Sequence, residues 1–360
     1  MVFWPFSKAF GAGLTHGQVP THTDLNKLDN QVAQAADGAL WTDVAGAANF
    51  VYSFDGGGAD LVGAAAWRDI SGEWFVAGIS ATNPTVKKAW PPFVLNDSFD
   101  AQTVPAGSGF TGQIALCCNP AGVLLLGGTP NAGTTAKLRR SPDGTTWTTL
   151  DTPTALGIKA IDWFPAVGKF LVGYGSGTVV DTSVDGVAWA SRTSPNSEER
   201  GLMAASPSRL VWAASRFVTT SKVITTDDAI TFTERDVGSS EQWGGITYSP
   251  TLQKWFIVSA GGSVRSSSDG VTWTAGTSFA TTLVVALASY GRALFAVGNG
   301  SSGNAEVWCS IDGATTWRRI ARWKFSIPTT VSHMVVGPGG QLMVIDRLAG
   351  QARASLRLGA

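Results

Sequence analysis

A seven-residue stretch, Ser141-Pro142-Asp143-Gly144-Thr145-Thr146-Trp147, returns along this chain at a nearly constant interval. Ser183-Val184-Asp185-Gly186-Val187-Ala188-Trp189 and Ser267-Ser268-Asp269-Gly270-Val271-Thr272-Trp273 repeat it. Thr226-Asp227-Asp228-Ala229-Ile230-Thr231-Phe232 is a looser copy, and Ser310-Ile311-Asp312-Gly313-Ala314-Thr315-Thr316-Trp317 is one residue longer. The aspartates stand at 143, 185, 228, 269 and 312, so successive steps are 42, 43, 41 and 43. A fixed period of this size means one supersecondary unit used repeatedly, and four short strands with their turns take about 40–50 residues. Such units bury their apolar faces only against one another.

The rest of each period supports four strands. A compact apolar strand recurs seven times, as in Phe75-Val76-Ala77-Gly78, Leu125-Leu126-Gly127-Gly128, Phe170-Leu171-Val172-Gly173 and Phe295-Ala296-Val297-Gly298. Before each lies a strand of smaller residues, such as Gly63-Ala64-Ala65-Ala66-Trp67 or Val284-Val285-Ala286-Leu287-Ala288. Turn residues (Ser71-Gly72, Pro120-Ala121-Gly122, Ser249-Pro250) separate the two. Small residues belong where a radial array of sheets is most crowded, at its axis. The unit therefore reads strand, turn, strand, loop, strand, Asp-Gly turn, strand. In the last turn Ser and Asp oxygens accept backbone N–H groups and Gly supplies a positive φ. The Trp that follows covers the turn against the neighbouring sheet. Asp143, Asp185, Asp228, Asp269 and Asp312, with Trp147, Trp189, Phe232, Trp273 and Trp317, are thus expected to be structural.

First strands start near residues 62, 111, 157, 200, 243, 283 and 330, which predicts seven sheets. The first of them lacks a recognisable Asp-Gly turn, and its outer strand is not specified by the sequence. The seventh has room for three strands before Ala360. A detached copy of the motif, Ala35-Ala36-Asp37-Gly38-Ala39-Leu40-Trp41, stands near the N-terminus. Asp37, Trp41 and the strand after them are expected to supply the missing outer strand, closing the ring with the opposite end of the chain. Six sheets is the alternative if the first is irregular.

The repeated turn resembles the Asp-box (BNR) repeat of sialidases and related β-propellers. The resemblance implies an all-β, seven-bladed β-propeller over residues 35–360. It implies little about activity, because the same turn serves enzymes and binding modules.

Residues 1–34 form a separate segment. Pro5, Gly11, Gly13, Gly17 and Pro20 break regular structure, yet Phe3, Trp4, Phe6 and Phe10 are large rings. Leaving each in water forgoes about 1.5–3 kcal/mol. They are expected either to fold back on the body or to anchor the chain in a partner. Residues 21–36 read as a short helix after Pro20, with Leu25, Leu28, Val32 and Ala35 on one stripe. About four turns are too few to stand alone, so this helix docks on something.

Composition narrows the function. Hydrophobic residues make up 44% of the 360-residue chain, enough for a core, and charged residues only 14%. Lys+Arg and Asp+Glu are equal at 26 each, so no broad basic field exists for nucleic acid. No run approaches the roughly 18 apolar residues of a membrane span. Met1-Val2-Phe3-Trp4-Pro5-Phe6-Ser7-Lys8 lacks the order of a secretory signal, which makes synthesis in a cytoplasm the expectation. Cys117, Cys118 and Cys309 read as buried free thiols, and His16, His22 and His333 have no metal-ligand spacing. No cofactor loop, metal site or nucleophile motif is present. A sialidase would need converging arginines, a Tyr nucleophile with a Glu partner and an acidic proton donor. Tyr52, Tyr174, Tyr248 and Tyr290 lack that setting, and the family's Arg-Ile-Pro-type motif is missing. Arg139-Arg140 and Arg318-Arg319 read as solvated strand ends.

The segment Thr21-His22-Thr23-Asp24-Leu25-Asn26-Lys27-Leu28-Asp29-Asn30-Gln31 resembles the short Asp-Leu-Asn helix near the start of many bacteriophage tail and fibre proteins. That resemblance, about 20 residues long, implies a non-enzymatic virion structural protein. Residues 1–34 would attach it to other virion proteins, with Phe3, Trp4, Phe6, Phe10, Leu25 and Leu28 as anchors. The propeller would face a host glycan or protein, and the chain could form a homo-oligomer. The alternative is a cellular binding propeller similar to Asp-box photosystem assembly factors or glycan-binding modules. A glycoside hydrolase is the least favoured reading.

Overall fold

The computed structural model describes residues 51–53, 61–80, 83–89, 100–105, 110–130, 137–151, 154–197, 201–213, 219–279, 281, 283–299, 305–323, 331–336, 341–346 and 351–357. These residues are all strand, turn or loop, with no helix among them. The expected helix at 21–36 lies outside them.

Strand β1 (Val51–Ser53) precedes the first sheet, which consists of β2 (Leu61–Arg68), β3 (Glu73–Ser80), β4 (Asn83–Ala89) and β5 (Asp100–Gln102). The second holds β6 (Phe110–Cys118), β7 (Leu124–Pro130), β8 (Lys137–Ser141) and β9 (Thr148–Asp151). The third holds β10 (Ile158–Phe164), β11 (Lys169–Tyr174), β12 (Val179–Ser183) and β13 (Ala190–Thr193). Then β14 (Leu202–Ala205), β15 (Leu210–Ala213), β16 (Thr219–Thr226), β17 (Thr233–Ser249), β18 (Lys254–Ser259), β19 (Val264–Ser267) and β20 (Thr274–Ala275) form one seven-stranded sheet. The next contains β21 (Leu283–Tyr290), β22 (Ala293–Asn299), β23 (Ala305–Ser310) and β24 (Arg318–Trp323). The last contains β25 (Val331–Val336), β26 (Gln341–Asp346) and β27 (Gln351–Arg357), with β1 at its outer edge. All pairings are antiparallel, and β1 meets β27 in the register Val51↔Arg353, Tyr52↔Ala352, Ser53↔Gln351.

The seven-stranded sheet departs from the expected pattern. No loop separates the outer strand of one unit from the inner strand of the next, because β17 is 17 residues long and serves as both. Its first half pairs with β16 as far as Thr219↔Gln242 and its second half pairs with β18. Buried Trp243 holds the crossing point, its Nε1–H donating to the Thr220 carbonyl at 3.0 Å. The first sheet's outer strand, which the sequence left unspecified, is the short β5, paired with β4 at Val86↔Gln102.

Inner strands lie side by side: β2 on β6, β6 on β10, β10 on β14, β14 on β17, β17 on β21, β21 on β25 and β25 on β2. Close packing there demands small residues. A Cβ on Gly63 would stand 2.5 Å from Ile114 Cγ1, and one on Gly245 would stand 2.5 Å from the Leu287 backbone nitrogen. The hydrophobic core is divided between sheets rather than pooled. One cluster joins Phe75, Val86, Phe110, Leu124 and Trp147 between the first and second sheets. Another joins Leu125, Leu138, Ile161 and Phe170 between the second and third.

Candidate functional site

The motif turns are built from their own side chains. In the first described copy the Ser141 hydroxyl donates to Asp143 Oδ1 at 3.1 Å and accepts the Gly144 N–H at 2.8 Å. The same Asp143 Oδ1 accepts the N–H groups of Thr145 at 2.8 Å and Thr146 at 2.7 Å. Asp185, Asp228 and Asp269 repeat the pattern on Val187 and Ala188, Ile230 and Thr231, and Val271 and Thr272. In the longer copy Asp312 Oδ1 accepts from Thr315 and Thr316. These bonds favour the ionised carboxylate. Burial pushes the Asp143 carboxyl up, but the Thr146 and Thr145 N–H groups outweigh it and hold it well below the ordinary range. Asp269 settles at about 2 by the same contest, in which burial is outweighed by the N–H groups of Thr272 and Val271. The N–H groups of Val187 and Ala188 lower Asp185, and those of Thr231 and Ile230 lower Asp228.

Each turn also presses on the preceding sheet. Gly144 has φ 82° and faces Phe75 of the first sheet; Gly186 has φ 76° and faces Leu125 of the second. Trp147 packs with Phe75 and Leu124, Trp189 against Leu125 and Phe170, and Phe232 against Phe164 and Leu171. Trp273 packs with Val211 and Trp255, and Trp317 with Phe256 and Phe279. Asp37, Trp41, Phe3, Trp4, Phe6, Phe10, Leu25 and Leu28 lie outside the described residues.

Arginines link the same turns across sheets. Arg68 Nη2 donates to the Pro142 carbonyl at 3.3 Å and its Nε to the Gly122 carbonyl at 2.9 Å. Arg140 Nε donates to the Asp185 carbonyl at 2.8 Å, and Arg209 Nη1 donates to the Asp269 carbonyl. Arg68 is buried beside Glu73 at 3.8 Å, and Lys88 completes that cluster at 3.2 Å from Glu73. The reading of Arg139-Arg140 as a solvated strand end is therefore corrected. Arg140 is tied to the next sheet and Arg139 is completely buried, with the Pro105 carbonyl and the Phe110 ring lying against its guanidinium.

Polar chemistry away from the turns is sparse. Tyr174 donates its hydroxyl to Asp181 Oδ2, and Ser191 donates to Asp181 Oδ1 at 2.6 Å. Burial, then Asp181, keeps the Tyr174 phenol protonated far above its usual range. On inner strand β10 burial raises Asp162 to about 7, partly offset by the Trp163 N–H it accepts at 2.8 Å. A carboxyl there could exchange a proton near neutrality, but burial and the Asp162 charge also keep the neighbouring Cys117 thiol protonated, which withholds a thiolate nucleophile. All three cysteines are free; Cys117 and Cys309 are buried and Cys118 is half-buried. Burial lowers His333 to about 4, so it is neutral at physiological pH. Among the described residues no group of three or more His, Cys, Asp or Glu is placed to hold a metal ion. Sequence reasoning missed the Tyr174–Asp181–Ser191 cluster, whose members lie on three strands outside the Ser183–Trp189 motif; only the strand register Asp181↔Ser191 reveals it.

No family model and no curated protein matches the chain. Solved structures do. A catalytically inactive variant of virginiamycin B lyase from Staphylococcus aureus, crystallised with quinupristin, is similar at a TM-score of 0.64 and 12% identity, over 81% of this chain and 93% of that one. The selenomethionine form of the same lyase gives 0.63 and 12%, over 82% and 95%. YCF48 from Cyanidioschyzon merolae gives 0.58 and 11%, over 82% and 96%. At such identities the likeness carries the architecture alone: the chain is a β-propeller.

Proposed function

We propose that this protein is a non-enzymatic structural component of a bacteriophage virion, held on the particle by residues 1–34 and displaying a seven-bladed propeller. The observation that carries the reading is the N-terminal segment. Four aromatic residues, Phe3, Trp4, Phe6 and Phe10, precede an Asp-Leu-Asn stretch of the tail-protein type. Support from the propeller is indirect: each repeated carboxylate commits its Oδ1 to backbone N–H groups of its own turn. A count of seven blades is supported by a division of the long sheet at β17, with β1 taken together with β25–β27. The expected partners are other virion proteins, further copies of the chain and a host-surface glycan or protein; nucleic acid and membrane insertion have no place in this reading.

Removal of residues 1–20 tests it. Phage produced with the truncated gene should lack the protein in a mass-spectrometric inventory of purified particles, while the truncated chain still folds. Particles that retain it at full copy number would refute attachment through the arm. A cellular binding propeller is the second reading, favoured by the likeness in fold to YCF48. Absence of the intact protein from every purified particle would favour that alternative.

A further inference from the structure

Among the described residues four large apolar side chains stand exposed: Ile70, Val184, Val187 and Ile230. All four lie in turns at one end of the sheets, and three of them gather at the third and fourth sheets. The turn 165–168 and the turn 184–189 close the same end of the third sheet, because Phe164 pairs with Lys169 and Phe170 with Ser183. Pro165 and Ala166 are exposed there, beside Val184 at 63% and Val187 at 51%. The turn of the fourth sheet abuts them. Its Ala229 and Phe232 pack with Phe164, Val167 and Leu171 of the third sheet, while Ile230 between them is 52% exposed. The turn itself does not require apolar residues at these places. The second turn has Thr145 where Val187 and Ile230 stand, and the fourth and fifth have Asp227 and Ser268 where Val184 stands. An apolar cluster that the fold does not need marks a surface that something else covers.

We propose that this patch is the docking surface for residues 3–10 of the same chain, whose rings Phe3, Trp4, Phe6 and Phe10 cover Val184, Val187 and Ile230. The direction of β1 selects this occupant. In the last sheet Val336 pairs with Leu342, next to the turn that joins β25 to β26, and Asp346 pairs with Gln351 at the opposite end. Ser53 pairs with Gln351, so β1 runs away from the turns and residues 1–50 join the sheet from the side on which the patch lies. Residues 21–50 span about 70 Å with a helix over 21–36 and the rest extended, which exceeds the roughly 50 Å diameter of a globular body of this length. The chemistry of the segment also fits. Residues 1–23 contain Lys8 and no Asp or Glu, so no acid is brought against Asp185 and Asp228 within the patch. Both carboxylates are held ionised by N–H groups of their own turns. At the rim Arg140 is engaged by the Asp185 carbonyl and Arg209 by the Asp227 carboxylate. The docking belongs to the free chain and does not rest on the virion reading, under which the arm leaves the patch before it enters a particle.

Chymotrypsin cleavage of the purified full chain after Phe6 and Phe10 tests the docking. Cleavage should be at least ~10-fold slower than in a free peptide of residues 1–20, because it follows the population of undocked arm, and the ratio should not change with protein concentration. The combined substitutions Val184→Asp, Val187→Thr and Ile230→Thr use residue types that other copies of the turn already accommodate, and they should restore the rate of the peptide. Ser268→Asp adds the same charge to the fifth turn and should leave the protection intact. Cleavage of the wild-type arm at the rate of the peptide, or equal protection in the triple variant, overturns the docking. Protection that grows with protein concentration overturns its intramolecular form and assigns the patch to a second copy. None of these outcomes depends on particles, whose protein inventory decides attachment separately.

Discussion

Gly144 joins a backbone requirement to a packing requirement. Its φ of 82° suits glycine, and a Cβ there would stand 2.4 Å from Phe75 Cζ on the neighbouring sheet. Gly313 has φ 72°, but a Cβ there would meet nothing within 4 Å. Gly144→Ala should thus cost about 2–4 kcal/mol, combining backbone strain with overpacking, and Gly313→Ala about 1 kcal/mol. Urea unfolding of both variants checks this; equal losses would mean that the Phe75 contact relaxes freely. Ala229 and Ala314 already take positive φ, at 55° and 70°, so the turn geometry holds even without glycine. Titration belongs to this scale too. The turn aspartates are depressed, so their stabilisation is full above the unfolded carboxylate pKa near 4 and is lost as pH falls toward about 2. Asp162 has the opposite sign. Raised to about 7, it favours the folded state when protonated, and that contribution disappears as pH climbs from about 4 through 7. Asp162→Asn should raise the melting temperature at pH 8 by a few °C, on the order of 2–4 °C per kcal/mol, and change it little at pH 4. A variant that melts lower at pH 8 would show that the carboxylate is needed ionised.

Between elements, the arginine links differ in their surroundings, and their value should differ accordingly. Arg68 is buried with Glu73, whereas the Arg140 bond to Asp185 is exposed. Arg68→Met strands a buried carboxylate with Lys88 as its remaining partner and should cost about 3 kcal/mol. Arg140→Met should cost less than about 1 kcal/mol. Denaturant midpoints of the two variants decide it, and an equal loss would mean that Glu73 finds new solvation. These links also mark how far the sequence could be read. The period of the Asp-Gly turns and the alternation of small and bulky strands show the repeated unit and which side chains face the next sheet, because both depend on local spacing. Arg139 and Arg140 look alike in sequence. Only the strand register and the neighbours on each face of β8, Pro105 and Phe110 on one and Asp185 on the other, separate a buried cation from one bonded across the surface. The fusion of two units through β17 is equally hidden, since Gly238 and the polar run Ser239-Ser240-Glu241-Gln242 carry no strand pattern, yet pairing with β16 resumes at Thr220↔Glu241 after a register shift.

For the whole molecule, the decisive contact is the one that brings opposite ends of the chain together. Every other adjacent pair of sheets is joined by continuous chain, so thermal opening at those points is resisted by covalent connection. The last sheet meets the first through β25 against β2, and its own outer edge is β1, contributed from before the first sheet. Pairing of Val51–Ser53 with β27 acts as a clasp that ties residues 51–53 to residues 351–353. At about 0.5–1.5 kcal/mol net per hydrogen bond, a ladder over three residue pairs contributes about 2–4 kcal/mol. Losing it also leaves β27 as an unpaired edge, open to pairing with another molecule. A chain starting at residue 58 should therefore unfold at lower urea with a shallower, less cooperative transition, and should associate at high concentration in light scattering. A chain starting at residue 35 retains the clasp and should match the full-length protein in both measurements. If the shorter chain unfolds at the same midpoint and stays monomeric, the ring is held by its inner strands alone and β1 is dispensable.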